Sequence, residues 1–147
     1  MSRTQKLGLH NIPGTYSTRV FLGFNYLSGS RAEDILEAIR DSGFTPVVAI
    51  DFDIPAAKVY DCCLYLLCHC QYAVFDVTVP GGQLIEIELA HRLDTECLLV
   101  WDGWLDGPPR LSSMVQTHPL FKLNNRSYTN TSELKDHVRG FLGSNSA

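Results

Sequence analysis

Hydrophobic residues follow two periods along this chain. Short apolar runs, typical of strands, alternate with longer segments in which apolar residues recur every three or four positions, as on one face of a helix. The predicted strands are residues 19–24, 44–50, 72–77 and 97–101. The predicted helices are residues 30–42, 54–70, 83–93 and 131–142. A further short strand is expected in the loop-like stretch 102–130, at 120–123 or at 126–128.

The alternation of strands and helices predicts the fold class. Parallel strands joined through helices by right-handed crossovers form a sheet that is covered on both faces. We therefore expect an α/β protein, a doubly wound, flavodoxin-like three-layer sandwich with a mostly parallel sheet of four to five strands. The run 72–77 is apolar except for Asp76, which is typical of a central strand. Pro46 indicates an edge position for the second strand, because proline cannot donate to a ladder.

Length and charge set the domain organisation and exclude some partners. The 147 residues suit one domain, and we expect a flexible arm at 1–18, a single domain at 19–142 and a disordered tail at 143–147. No apolar run approaches the roughly 18 residues that span a bilayer, and no secretory signal is visible, so we expect no membrane partner and a cytoplasmic location. The net charge of −4, with scattered Lys and Arg residues, argues against nucleic acid.

The cysteines are the residues that could suggest a metal. Their odd number, five, argues for reduced thiols and against a disulfide framework. Four of them lie between positions 62 and 70, without the C-x2-C spacing that presents two thiolates to one ion. We interpret them as small buried side chains of a core helix and predict neither a metal nor a cofactor.

A ligand site in such a fold is expected beyond the carboxyl ends of the strands. The loops that meet there are residues 24–30, 50–55 and 78–83. The first loop leads into a helix N-terminus, a natural anion site, where Ser28, Ser30 and Arg31 could hold a phosphate. Ser30 fits a plain helix cap equally well. Phe24 and Tyr26 could stack on a base or belong to the core.

Two glutamates on the third predicted helix must face different ways, because they are two positions apart. Glu88 pairs with Arg92 at i,i+4 and is interpreted as part of a solvated face. Glu86 begins the stripe predicted to pack against the sheet, which continues with Leu89, Ala90 and Leu93. Glu86 could cap free amides of the first turn. Alternatively, the helix dipole keeps Glu86 ionised at neutral pH beside a glycine-lined cavity, ready to attack an anomeric carbon or stabilise an oxocarbenium ion.

Asp76 is the second candidate carboxylate. It lies just before Thr78, near the predicted carboxyl edge of the sheet, where its charge could reach a ribose hydroxyl. Alternatively, Asp76 accepts backbone amides of the following turn. Asp51 and Asp53, after the second predicted strand, have the same two interpretations, and the sequence favours them less.

Two stretches resemble the core of the nucleoside 2-deoxyribosyltransferase-like superfamily. They are Ala73-Val-Phe-Asp-Val-Thr-Val-Pro-Gly-Gly-Gln-Leu-Ile-Glu86-Ile-Glu-Leu-Ala90 and Leu93-Asp-Thr-Glu-Cys-Leu-Leu-Val100. The family has a strand, a Thr, a Pro/Gly turn, E-L-G-x-A on a helix, then G-K-P and an apolar strand. In this register Glu86 stands at the family glutamate and Ala90 at its alanine. Residues 20–23 are similar to the family's first strand, and residues 28–34 to its phosphate or sugar loop.

The resemblance, which spans residues 20–101, implies cleavage or transfer at the N-glycosidic bond of a nucleoside or nucleotide. It implies Glu86 as nucleophile or oxocarbenium stabiliser, with Asp76 as a further catalytic residue that helps to orient the sugar. The implied substrate-binding residues are Gly23, Phe24, Asn25, Tyr26, Ser28, Ser30, Arg31, Thr78, Gly81 and Gly82. A small nucleoside or nucleotide ligand and a homo-oligomer are the implied partners.

The same outline allows two other functions. TIR-like domains that hydrolyse NAD or sense nucleotides share it, and a catalytically silent binding module could use the loop Trp101 to Trp104 as a partner surface. Departures from the family pattern bear on catalysis. Glu88 and Asp94 replace glycines, and Cys63 stands where the family has a carboxylate on the helix before the third strand.

Overall fold

An open parallel sheet flanked by helices forms the fold. The structure, a computed structural model, describes residues 5–26, 31–103, 112–120 and 124–144. The strands are β1 Arg19–Gly23, β2 Thr45–Val47, β3 Tyr72–Asp76, β4 Glu96–Asp102 and β5 Asn125–Tyr128. The α-helices are α1 Ala32–Asp41, α2 Val59–Cys68, α3 Gln83–Arg92, α4 Ser113–Gln116 and α5 Thr131–Gly143. Short 3₁₀ helices occupy Leu9–Asn11, Tyr16–Thr18, Ala49–Asp51 and Ala56–Lys58.

The sheet has the strand order β2-β1-β3-β4-β5, and every neighbouring pair is parallel. Helices α2 and α3 pack on one face, and α1 and α5 pack on the other. This arrangement confirms the predicted flavodoxin-like three-layer α/β sandwich. The order changes direction at β1, so the loops after β1 and β3 meet at the switch point where such sheets bind ligands.

Alternation of side chains along the central strands produces two cores. Phe21, Ala73 and Phe75 point towards α2 and α3, whereas Val20 and Val74 point towards α1 and α5. All five residues of β3 are buried, as predicted for a central strand. Each large apolar side chain that is fully buried in this way stabilises the fold by about 1.5–3 kcal/mol.

The edge strands also follow the sequence prediction. β2 lies at one edge of the sheet and contains Pro46, whose missing N–H is tolerated there. The fifth strand is Asn125–Tyr128, the second of the two predicted positions. The other position, 120–123, is described only at residue 120.

Two elements depart most from their predicted bounds. The second predicted helix begins at Val59 and not at residue 54, because Pro55 disfavours helical conformation in the residue before it and only a 3₁₀ turn follows. The second strand ends at Val47, where the chain turns into the 3₁₀ helix Ala49–Asp51. Within the described ranges, no helix is long and apolar enough to cross a membrane.

Residues 5–18, predicted as part of an arm, run beside the domain. The amide of Leu7 donates to Asp51 O at 2.9 Å, and the amide of Asp53 donates to Leu7 O at 2.8 Å. The Arg19 guanidinium donates to the carbonyls of Ile12, Pro13 and Gly14 at 2.7–3.1 Å, which fixes the approach to β1. At the other end α5 includes Gly143, one residue beyond the predicted helix.

Candidate active site

A cavity of about 420 Å³ lies at the switch point of the sheet, between the loop after β1, helix α2 and the first turns of α3. Its volume is in the range of small-molecule sites, about 300–1,000 Å³. Among the described residues, its wall is mainly apolar and aromatic, with one carboxylate. The lining residues are Phe24, Asn25, Tyr26, Ala49, Val59, Tyr60, Cys63, Gly82, Gln83, Ile85, Glu86 and Leu89.

Glu86 supplies that carboxylate, from the first turn of α3. Burial raises the pKa of Glu86 to about 7, and a hydrogen bond from the Cys63 thiol partly opposes this shift. With a pKa of about 7, both protonation states of Glu86 are populated at neutral pH, whereas the sequence expectation was a carboxylate kept ionised by the helix dipole.

The buried face of α3 differs from the predicted stripe. The buried residues are Gln83, Ile87 and Ala90, while Leu93 is 38% exposed. Glu86 is only partly buried and lies at the edge of this face, where the helix meets the cavity. Glu88 is confirmed on the solvated face, with its Oε1 3.7 Å from Arg92 Nε.

The loop after β1 forms one wall of the cavity. Phe24 and Tyr26 meet edge to face, with ring centroids 4.5 Å apart. Asn25 Nδ2 donates to Pro80 O at 3.0 Å and so ties this loop to the Pro-Gly-Gly turn before α3. Three predicted ligand residues are therefore brought beside Glu86.

Gly23 and Gly81 leave room where a side chain would not fit. A Cβ on Gly23 would lie 2.5 Å from Phe75 Cδ1 and 3.0 Å from Glu86 Oε1. A Cβ on Gly81 would lie 2.9 Å from Gln83 Oε1. Gly82 lines the cavity and has open space around the position of a Cβ. Gly23 thus lets the Glu86 carboxylate approach the end of β1.

Gly23→Ala is expected to destabilise the protein by about 1–3 kcal/mol, because the new methyl group must displace the Phe75 ring in a packed core. The same methyl group would press on the Glu86 carboxylate. Urea denaturation measures the change in the free energy of unfolding. Gly82→Ala is the matched control, since nothing lies within 4 Å of its Cβ. Equal stability of the two variants would contradict this account.

Asp76 and Thr78 lie outside the cavity lining. Asp76 Oδ1 accepts the Thr78 amide at 2.9 Å and the Thr78 hydroxyl at 2.6 Å, and Asp76 Oδ2 accepts the Tyr128 hydroxyl at 3.2 Å. Burial raises the pKa of Asp76, although these hydrogen bonds oppose the shift. These contacts agree with the alternative given for Asp76 in the sequence analysis, in which its carboxylate accepts backbone amides of the following turn.

The predicted phosphate residues are only partly described. Arg31 Nη1 donates to Thr131 Oγ1 at 2.8 Å, and the guanidinium carbon lies 5.6 Å from the centre of the Tyr128 ring. These contacts direct Arg31 towards α5 and away from the cavity lining. Ser28 and Ser30 lie outside the described residues, as does the tryptophan at position 104 of the predicted partner surface.

Sequence reasoning missed Gln83 and Cys63 as site residues. Gln83 is 1% exposed, and its Nε2 donates to Asp76 O at 3.1 Å and to Val79 O at 2.6 Å, which fixes the amide orientation. Its Oε1 has no hydrogen-bond partner among the described residues. The i,i+3 spacing from Gln83 to Glu86 was the available signal, because such residues share a helix face. For Cys63 the available signal was the family resemblance, which places it where the family has a carboxylate on the helix before the third strand.

The described residues were also compared with the predicted absence of a metal site. Within the described part of the chain, no three His, Cys, Asp or Glu residues are grouped as metal ligands. The cysteines at 62, 63, 68, 70 and 97 are free thiols, and Cys68 is the exposed one. The chemistry available at the cavity is therefore that of a partly buried carboxylate with aromatic and amide neighbours.

Comparison with known proteins identifies a fold neighbour. No family model matches this sequence, and no curated protein matches it. Among solved structures, the chain is similar to the CMP N-glycosidase BcmB of Clostridium botulinum, with a TM-score of 0.59 and 17% sequence identity. The match covers 84% of this chain and 98% of the BcmB chain. At this identity the likeness defines the fold class, and the activity must be argued from the site.

Proposed function

We propose that this protein cleaves or transfers at the N-glycosidic bond of a nucleoside or nucleotide, with Glu86 as nucleophile or oxocarbenium stabiliser. The observation that carries the proposal is the position of Glu86, a partly buried carboxylate in the wall of a cavity at the switch point of a parallel sheet. The likeness in fold to a CMP N-glycosidase supports the same reaction class.

The proposed reaction begins with attack of a Glu86 carboxylate oxygen on the anomeric carbon. The bond from carbon to base nitrogen breaks, its electron pair leaves with the base, and the base takes up a proton from solvent water. Water then hydrolyses the glycosyl ester to the free sugar, whereas a second base would give transfer. In the alternative pathway Glu86 forms no covalent bond to the sugar, and its negative charge stabilises the oxocarbenium ion. The apolar wall strengthens this attraction because it lowers the local dielectric constant.

The protonation state of Glu86 sets when this chemistry can occur. Only the ionised carboxylate attacks or stabilises a cation. Because the pKa of Glu86 is about 7, a substantial fraction is ionised at neutral pH. Activity in the proposed mechanism therefore rises with pH through about 7.

The aromatic wall supports a planar base as the leaving group. Phe24, Tyr26 and Tyr60 line the cavity opposite the apolar residues of α3. Aromatic side chains bind bases by stacking, which is tolerant of base identity. In the proposal Asn25 and Tyr26 orient the sugar, and Ser28, Ser30 and Arg31 remain the predicted residues for a phosphate.

Glu86→Gln is expected to abolish base release. The protein is incubated with nucleoside monophosphates, deoxynucleosides and NAD, and free base or nicotinamide is followed by chromatography. Glutamine keeps the size of the side chain but can neither attack nor carry charge, so we expect a loss of at least about 10³-fold. Glu88→Gln, which alters a carboxylate on the solvated face, is the matched control and should keep full activity.

The outcome separates the three functions. Release of base from nucleosides or nucleotides, lost in Glu86→Gln and kept in Glu88→Gln, supports the proposal. Nicotinamide release with the same dependence would replace it by NAD hydrolysis. Binding without turnover of any substrate would replace it by a silent binding module.

A further inference from the structure

We propose that Gln83 determines the sugar specificity of the site: its side-chain oxygen accepts a hydrogen bond from the 2′-hydroxyl of the ligand's ribose. The site then takes ribonucleosides or ribonucleotides in preference to their 2′-deoxy counterparts. The inference rests on the proposed function, in which Glu86 faces the anomeric carbon. Gln83 is the first residue of α3, is 1% exposed and lines the same cavity as Glu86.

Two backbone carbonyls fix the orientation of the Gln83 amide. Its Nε2 donates to Asp76 O at 3.1 Å and to Val79 O at 2.6 Å. Carbonyl oxygens only accept hydrogen bonds, so the amide nitrogen must face them and both of its hydrogens are used. The amide oxygen, Oε1, therefore points the other way, because exchange of the two atoms would set oxygen against oxygen.

The oxygen oriented in this way is buried and has no hydrogen-bond partner among the described residues. Buried acceptors are nearly always paired, because an unpaired one loses its bonds to water without replacement. The contacts that tie α3 to the end of β3 use only the nitrogen of the amide and do not account for the oxygen. An acceptor left over in a cavity wall is matched by a donor on the ligand, and it discriminates against analogues that lack this donor.

The oxygen lies beside the Pro-Gly-Gly turn. A Cβ on Gly81 would be 2.9 Å from Gln83 Oε1 and 3.2 Å from Asn25 Nδ2, so both amides lie on the same side of Gly81. The oxygen is closed to bulk water in this position. A ligand hydroxyl reaches it through a shift of the Asn25 side chain, and side-chain changes of this size are common at binding surfaces.

The proximity of Gln83 to Glu86 favours the 2′-hydroxyl as the donor. The two residues are three positions apart on one helix face, about 4.5 Å along the axis. In a β-ribonucleoside the 2′-hydroxyl and the base lie on opposite faces of the sugar, so a nucleophile that displaces the base approaches from the face of the hydroxyl. This hydroxyl is also on the carbon next to the anomeric carbon, whereas an amino group of the base lies on the side of the leaving group.

The test measures binding by isothermal titration calorimetry to Glu86→Gln, in which turnover is blocked and Gln83 is intact. For each of the four common bases, three 5′-monophosphates are compared: the ribonucleotide, its 2′-deoxy analogue and its arabino epimer, whose 2′-hydroxyl is on the face of the base. We expect the ribonucleotide to bind about 10- to 100-fold more tightly than either analogue, where 10-fold corresponds to about 1.4 kcal/mol.

Gln83→Met in the same background removes the acceptor at a similar side-chain length. It is expected to weaken binding of the ribonucleotide alone and to bring the three sugars within about threefold of each other. Gln83→Lys is the second variant, because a lysine still donates to the two carbonyls but cannot accept. Gln116→Met is the matched control: it makes the same change at an exposed glutamine outside the cavity lining and should keep the preference for ribose.

Equal affinity for the three sugars, or a preference for ribose that survives in folded Gln83→Met or Gln83→Lys, would overturn the inference. A preference set by an amino group of the base would overturn it as well, and so would absence of binding by every nucleotide. Binding that depends on the 2′-hydroxyl, without base release by wild type, would support the inference and remove the proposed function. Base release without a preference for ribose would do the reverse.

Discussion

Glu86→Gln is expected to stabilise the protein relative to wild type by about 2–3 kcal/mol more at pH 8 than at pH 5. The reason is the raised pKa of Glu86. The folded protein binds this proton up to about pH 7, whereas the unfolded chain releases it near pH 4.5. The raised pKa therefore adds to the free energy of unfolding of wild type. This contribution is fully present below pH 4.5 and is lost as the pH rises through 7. Because glutamine cannot ionise, the Glu86→Gln variant shows no such loss of stability at high pH.

Chemical denaturation of both proteins across this pH range measures the difference. Glu88→Gln is the control, because its carboxylate lies on the exposed face of α3 and should give no comparable gain at high pH. A stability difference between Glu86→Gln and wild type that stays constant from pH 5 to pH 8 would contradict burial of an ionisable carboxyl. Together with loss of base release, a gain at high pH would mark Glu86 as a residue kept for function at a cost in stability.

Asp76→Ala is expected to destabilise the protein by about 3 kcal/mol or more. The Asp76 carboxylate accepts hydrogen bonds from the Thr78 amide, the Thr78 hydroxyl and the buried Tyr128 hydroxyl. Truncation removes all three acceptor contacts, and each buried donor left without a partner costs about 1–3 kcal/mol. It also leaves a cavity at the end of the central strand.

Two milder variants make the Asp76 experiment specific. Tyr128→Phe removes one of the three hydrogen bonds and should cost about 1 kcal/mol. Asp76→Asn keeps the shape and one acceptor oxygen, so its loss of stability should be much smaller than that of Asp76→Ala. Similar unfolding midpoints for Asp76→Ala and wild type would contradict a structural role. Loss of base release in folded Asp76→Asn would instead support the predicted catalytic role.

The links across the site explain why its residues act together. Asn25 joins the loop after β1 to the turn before α3, and Gln83 joins α3 to the end of β3. Cys63, on α2, lines the same cavity as Glu86. The loop after β1, the turn before α3 and the end of β3 are therefore tied to one another around the cavity, which is how a packed scaffold orients a reactive group.

The arrangement of strands and helices could be predicted from the sequence because it depends on local periodicity. The apolar run of β3 predicted a central strand, and Pro46 predicted an edge strand. The first residues of the elements were harder to predict from the sequence. α2 begins at Val59 because Pro55 and a 3₁₀ turn precede it, a local competition that the apolar pattern does not register.

The sequence by itself determined the fold class, the order of the elements and the helix that carries Glu86, since hydrophobic periods of two and of three to four residues suffice for these. Only the tertiary structure decided the partners of that carboxylate. Cys63 is 23 residues away along the chain, and Tyr128 meets Asp76 across 52 residues. Burial that raises the pKa of Glu86 depends on how α2, α3 and the β1 loop close around it, and no spacing within one element encodes that closure.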